Sequence, residues 1–299
     1  MRDFEKFCSI AVVQSAPVMF DAAACTEKAA RLIDEAAVHG AKLIVFPELF
    51  IPGYPYGLNF GFSVGRRDEA ARPDWARYAA NSILVPGPAK ANGVWVSIGI
   101  SERDAVTGTL YNSNVFITPE GEVQSCHRKL KPTGSERVVW GDADRGYFPT
   151  ADTPWGVMGS MICWESYMPL ARAALYQKGV ALYISPNTND NEEWQSTIRH
   201  IALEGRCYFI NCDMYFTRDM YPEWLHERAA VEALPETVCR GGSCIVDPQG
   251  HYVTEPLWDC EGIAYAELDM DAVPASRMEF DPCGHYSRPD VLRLEFLDE

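Results

Sequence analysis

The sequence predicts an α/β layer protein. Short β-prone runs alternate with amphipathic helical stretches along the chain. Two Pro-X-Gly turns, Pro119-Glu120-Gly121 and Pro248-Gln249-Gly250, break that alternation with hairpins. Several β-runs also stop at polar or reactive residues. Alternation points to helices packed on a sheet with parallel strands, and tight turns add antiparallel pairs.

The elements follow in order. Residues 9–14 read as a strand. Residues 21–39 place Ala29, Leu32, Ile33, Ala36 and Ala37 at helical spacing, and Gly40 stops them. Residues 42–46 are the next strand, and 75–81 a short helix. Strands at 94–101 and 110–118 follow, and the first Pro-X-Gly turn pairs the latter with 123–127. Residues 153–162 read as two strands around Trp155-Gly156. A helix at 168–178, a strand at 180–185, a helix at 194–206 and a strand at 208–214 come next. The second Pro-X-Gly turn joins 243–247 to 251–254, and 262–268 is the last strand. The two hairpins hint at a duplicated sheet plan. Between Pro86-Gly87-Pro88 and the strand at 94 too few residues remain for a usual crossover helix. No linker or low-complexity run divides the chain, so residues 1–299 read as one domain.

Composition narrows the function classes. The chain has 299 residues with 26 basic against 42 acidic, a net charge of −16, which argues against a basic nucleic-acid footprint. No apolar run approaches the roughly 20 residues that span a bilayer. The N-terminus mixes charges and does not resemble a signal peptide, so a cytoplasmic location is expected. The ten cysteines form no CxxC pair, and neither Cys207/Cys212 nor Cys239/Cys244 has a local histidine to complete a zinc site. No metal or cofactor is expected. Most of the cysteines read as small buried hydrophobes in a reducing compartment.

Three polar residues stand just beyond β-runs. Glu48 follows the run 43–46, Lys129 follows the hairpin strand and Cys163 ends the run that includes Met161 and Ile162. The rims of α/β sheets are where ligands bind. A cysteine, a glutamate and a lysine at one rim supply a nucleophile, a base and a cation. Taken alone, each residue has a plainer reading, as a buried cysteine or a solvated strand end.

Together the segments resemble the nitrilase superfamily. The stretches VFPELFIPGYPYG (45–57), HRKLKPTGSERVVWG (127–141) and ICWESYMPLAR (162–172) occur in the family's order, and the resemblance continues to GHYSRPDVLRL from Gly284. It implies a four-layer α-β-β-α sandwich. It also implies Glu48 as general base, Lys129 as catalytic lysine, Cys163 as nucleophile and Glu136 as an additional glutamate near the lysine. The pattern PT-x-x-ER-x-x-WG, the pair Trp164-Glu165 and the stretch 194–207 resemble the nitrilase and cyanide-degrading branch. The implied reaction takes a small organic nitrile and two waters to a carboxylate and ammonia. Amidase and cyanide dihydratase are the alternatives within the superfamily, and a catalytically silent binding protein is the alternative outside it.

Other positions carry weaker expectations. Tyr54 and Trp164 are expected to line the substrate pocket, whereas Glu165 is expected to brace the loop after Cys163. Lys131 is a neighbouring decoy for Lys129. His127 and His200 read as structural. The resemblance also implies a homo-oligomer, a dimer or larger, pairing through the helices at 168–178 and 194–206.

Overall fold

Ile10 and Val12 face one side of their strand, and Ala11 and Val13 face the other, yet all four are buried. A strand apolar on both faces lies between two packed layers. The computed structural model, which describes residues 4–85, 93–143 and 148–296, shows what those layers are.

The chain begins with β1 (Phe7–Gln14), α1 (Ala22–Val38) and β2 (Leu43–Val45). A small hairpin, β3 (Phe62–Ser63) and β4 (Arg66–Arg67), precedes α2 (Arg72–Ala80). β5 (Trp95–Arg103), β6 (Leu110–Ile117) and β7 (Val123–Arg128) complete the first half. The second half holds β8 (Thr150–Thr153), β9 (Gly156–Ser160), α3 (Pro169–Gln177) and β10 (Val180–Asn187). α4 (Glu192–Gly205), β11 (Tyr208–Asp213), β12 (Tyr215–Thr217) and α5 (Arg228–Glu232) follow. β13 (Thr237–Val246), β14 (Tyr252–Trp258), β15 (Gly262–Asp269) and α6 (Ala272–Arg277) close the chain.

Two large sheets form. One runs β15-β1-β2-β5-β6-β7. The other runs β12-β13-β11-β10-β9-β8, with β14 paired to β13. Each is built on a parallel triad, β1/β2/β5 and β9/β10/β11, flanked by antiparallel strands. Both Pro-X-Gly turns join antiparallel neighbours, β6 to β7 and β13 to β14.

Side-chain alternation sorts the core into layers. Ile10, Val12, Leu43 and Val45 meet Met158, Leu182, Ile184 and Ile210 between the sheets. Ala11, Val13 and Ile44 pack outward on Ala29, Ile33 and Ala36 of α1. Tyr183 and Phe209 pack outward on Leu175 of α3 and Trp194, Ile198 and Ile201 of α4. The order is therefore helix, sheet, sheet, helix. Asp21 caps α1 by accepting the Ala24 N–H at 2.9 Å, an arrangement worth about 1 kcal/mol.

Two sequence expectations need correction. The strands expected within 153–162 are Thr150–Thr153 and Gly156–Ser160, because Pro154 and Trp155 form the turn between them and Gly156 already belongs to the second strand. The hairpin at Phe62–Arg67 was not expected, since its two-residue strands are too short to show a period. The short crossover near Ala89 lies outside the described residues. Near the C-terminus, Leu294 and Phe296 pack on the core of the second sheet, and the Phe296 ring meets Phe148 edge-on at 5.9 Å. Among the described residues, no helix is long and apolar enough to cross a membrane.

Candidate active site

Glu48 leaves β2 through a turn pressed against β5. A Cβ added at Gly99 would fall 2.3 Å from the Pro47 carbonyl oxygen and 2.8 Å from the Glu48 Cα. Only glycine lets the strand approach so closely. The result is a fully buried Glu48 carboxylate aimed between the sheets.

Lys129 arrives from the neighbouring hairpin. Its N–H donates to the Asn112 carbonyl at 2.8 Å just past β7, and its side chain turns inward and is fully buried. Arg128 points the other way, onto Glu102 at 2.6 Å and over the Tyr111 ring at 3.9 Å. Lys131 is exposed and pairs with Asp142 at 2.6 Å. Of these three cations Lys129 enters the site; alternation turns its neighbour Arg128 the other way, and Lys131 lies beyond the end of β7.

The Lys129 ammonium donates to Glu48 Oε1 at 2.9 Å and to Glu136 Oε2 at 2.9 Å. Glu136 sits in a 3-10 turn, Gly134–Val138, and its Oε2 also accepts the Thr133 N–H at 2.7 Å. Tyr54 donates its hydroxyl to Glu136 Oε1 at 2.7 Å. Arg128 pairs with Glu102, and Arg137 Nε donates to the Pro132 carbonyl.

Cys163 follows β9 on the second sheet and opens a 3-10 turn, Cys163–Tyr167. Its φ is +53°, a region few residues other than glycine adopt, at a cost of about 1–3 kcal/mol. The thiol is buried and within electrostatic reach of Glu48, Lys129 and Glu136.

Glu165 braces this turn. Its Oε2 accepts the Ile162 N–H at 2.9 Å and contacts His127 Nε2 at 2.8 Å, while its Oε1 accepts the Leu130 N–H at 2.7 Å. His127 also stacks on Phe148 and is buried. His200 lies on the exposed face of α4, 3.8 Å from Glu204. Trp164 is 47% exposed, its ring edge-on to Tyr167 at 5.7 Å. The Tyr54 ring lies 5.8 Å from that of Trp140 and 5.9 Å from that of Tyr56.

Two further residues reach Glu48. Asn112 Nδ2 donates to Oε1 at 2.6 Å, and Thr188 Oγ1 donates to Oε2 at 3.2 Å. Asn112 and Asn114 share one face of β6, with Ser113 between them, and two amides on a buried strand were the available signal for the first. Thr188 follows β10 and carried none.

Burial sets the protonation states. It pushes the Cys163 thiol well above the ordinary range, with the Glu48 charge adding and Lys129 opposing. It also raises Glu48, against the pull of Lys129. Burial works against the Lys129 ammonium, but the negative charges of Glu48 and Glu136 outweigh it and raise its pKa. The Tyr54 phenol is raised by burial and by Glu136, so it stays a donor. A thiol beside a carboxylate that can take its proton, with a fixed cation alongside, suits nucleophilic attack on an electrophilic carbon. Elsewhere, an apolar cavity of about 250 Å³ lies between α1 and the outer face of the first sheet, with Thr26 among its Ile, Val and Ala walls. It has no titratable lining and suits no hydrolysis.

Sequence comparisons agree with this geometry. The carbon-nitrogen hydrolase family pattern matches residues 9–278. The chain belongs to the carbon-nitrogen hydrolase family. Within it, the chain is 47% identical over 298 residues to an aliphatic nitrilase of Sinorhizobium fredii, covering 97% of this chain and 95% of that one. It is 42% identical to nitrilase 2 of Arabidopsis thaliana, covering 95% and 86%. By fold, this carbon-nitrogen hydrolase is similar to Nit3 of Saccharomyces cerevisiae, a member of branch 10 of the nitrilase superfamily. The TM-score is 0.71 at 21% identity, over 95% of this chain and 98% of that one. It is a hydrolase of carbon-nitrogen bonds with the α-β-β-α sandwich of that superfamily.

Proposed function

We propose that the protein is a nitrilase that converts a small organic nitrile to the carboxylic acid and ammonia. Cys163 is the nucleophile, Glu48 the base, Lys129 the cation and Glu136 the carboxylate that orients Lys129. Tyr54 and Trp164 flank the substrate. The observation that carries the reading is the Lys129 ammonium, buried and shared at 2.9 Å by Glu48 and Glu136 beside the Cys163 thiol. The relatives named as nitrilases support the choice of substrate.

The steps balance with substrate and two waters. Glu48 takes the Cys163 proton, and the sulfur bonds to the nitrile carbon. The nitrogen gains that proton, which gives a thioimidate, while Lys129 and a backbone N–H near Trp164 stabilise the charge that builds on it. One water adds to the carbon and ammonia leaves, giving a thioester. The second water cleaves the C–S bond, releases the acid and restores the thiol. Glu48 serves as acid and base in turn.

The reading extends to the whole chain as one domain and to a homo-oligomer that pairs through α3 and α4. Leu170 and Leu203 on those helices are 70% and 43% exposed, which supports an apolar contact there. All ten cysteines are free, which supports a reducing compartment such as the cytoplasm.

Incubation with an aliphatic nitrile and, separately, with its amide tests the proposal. Acid and ammonia should appear in equal amounts from the nitrile with no free amide accumulating. Turnover of the amide alone would replace the nitrilase reading with an amidase.

A further inference from the structure

Glu48 is held from both sheets. Its Oε1 already accepts two hydrogen bonds, from Lys129 at 2.9 Å and from Asn112 at 2.6 Å. Its Oε2 accepts one among the described residues, from Thr188 Oγ1 at 3.2 Å. Oε2 is therefore the oxygen with room for an incoming proton, and Thr188 is what aims it.

Thr188 has a rigid support behind it. The next residue, Asn189, donates its N–H to Asp213 Oδ1 at 2.9 Å. Asp213 is fully buried at the end of β11, and its Oδ2 accepts from Asn211 Nδ2 at 2.8 Å. The Asn211 amide cannot turn over, because its oxygen accepts from Trp194 Nε1 at 3.0 Å and from Asn187 Nδ2 at 2.7 Å. Ser243 closes the other side by accepting the Asp213 N–H at 2.9 Å.

We propose that Thr188, anchored through Asn189 by Asp213, is a positioning residue that fixes the proton-accepting oxygen of Glu48. The inference rests on Glu48 being the base. A neighbouring segment of the second sheet thereby sets the direction and basicity of a carboxylate on the first. A hydrogen bond to an ionised carboxylate favours the ionised form, so its loss raises the pH at which the base works. The titratable groups facing Glu48 are Lys129, Glu136, Tyr54, Cys163, Asp213 and Cys239.

The test is the pH profile of Cys163 alkylation by iodoacetamide, read by mass spectrometry of the peptide that contains it. No nitrile is involved, so the result does not depend on which carbon-nitrogen bond the enzyme cuts. Thr188→Val should move the acid midpoint up by about one pH unit, and Thr188→Ser should keep the wild-type midpoint. Asp213→Asn keeps the volume but must set an N–H against Asn189 or Asn211. It should move the midpoint up as well, and the Thr188→Val/Asp213→Asn pair should move it no further than Thr188→Val alone.

An unmoved midpoint in Thr188→Val overturns the proposal. So does additivity in the double variant. A downward shift in Asp213→Asn overturns it too, because that is the effect of simply removing a nearby negative charge. The two Thr188 variants decide the matter even where an Asp213 variant does not fold. Glu48→Gln separates the layers. If it leaves the profile intact, the base assignment fails and this inference fails with it. If it removes the acid limb while Thr188→Val does nothing, the positioning role alone fails.

Discussion

Glu165 Oε1 accepts the Leu130 N–H at 2.7 Å, which ties the chain beside Lys129 to the turn that carries Cys163. Its other oxygen accepts the Ile162 N–H, one residue before the thiol. A single buried carboxylate thus fixes the spacing between cation and nucleophile on opposite sheets. Glu165→Ala strands the buried Ile162 N–H, at about 1–3 kcal/mol, and the half-buried Leu130 N–H as well. The melting temperature should fall by several degrees and kcat by more than tenfold. Wild-type values of both in Glu165→Ala would show that the brace does not matter.

Lys129→Met removes the cation from between Glu48 and Glu136. Breaking a buried pair in this way costs about 3–5 kcal/mol. The sign with pH follows from the raised Glu48 pKa, which Lys129 restrains. Without Lys129 it rises further, so stability is fully present below the unfolded carboxylate pKa, about 4.3, and is lost as pH rises through the folded value. Thermal melts should show a larger deficit at pH 7.5 than at pH 5, and turnover should be absent at both. A deficit that shrinks with rising pH would contradict this electrostatic account.

Tyr54→Phe deletes one hydroxyl, which donates to Glu136 Oε1 at 2.7 Å. The ring packing survives, so the fold should hold. Loss of a hydrogen bond to a charged group is worth about 1.5–3 kcal/mol, which predicts a drop in kcat/KM of roughly tenfold or more. Steady-state kinetics within twofold of wild type would remove Tyr54 from the site's working parts.

The acid limb of kcat/KM reports Glu48, which must be ionised to take the thiol proton. Burial raises Glu48, and the Glu136 charge adds to the rise, so the limb lies above the ordinary carboxylate value of about 4.3. Glu136→Gln removes that charge and should move the limb to lower pH. Movement to higher pH would mean that another group governs the limb.

Much of this was legible in the sequence because the relevant residues sit where β-runs end. Glu48, Lys129 and Cys163 each follow such a run, and the structure brings all three to one place. The alternation of strands and helices was legible in the pattern of runs and turns, but the four layers came from resemblance, and the two buried faces of β1 and β2 appear only in the structure. Glu136 came from resemblance alone, since a glutamate in a 3-10 turn carries no periodic signal. Thr188 and Asp213 were not foreseen. Their importance comes from a register between sheets, and a one-dimensional pattern does not contain it. Trp164, expected as a pocket wall, directly follows the nucleophile with its ring half-exposed against Tyr167.

The central claim is that Cys163 makes and breaks the bond to the substrate carbon. Ammonia release from an aliphatic nitrile by purified Cys163→Ala tests it most directly, with the melting temperature as a check on folding. The account predicts a folded protein that releases no ammonia above a no-enzyme control. Sustained hydrolysis by a folded Cys163→Ala protein, above any contaminating activity, would contradict it.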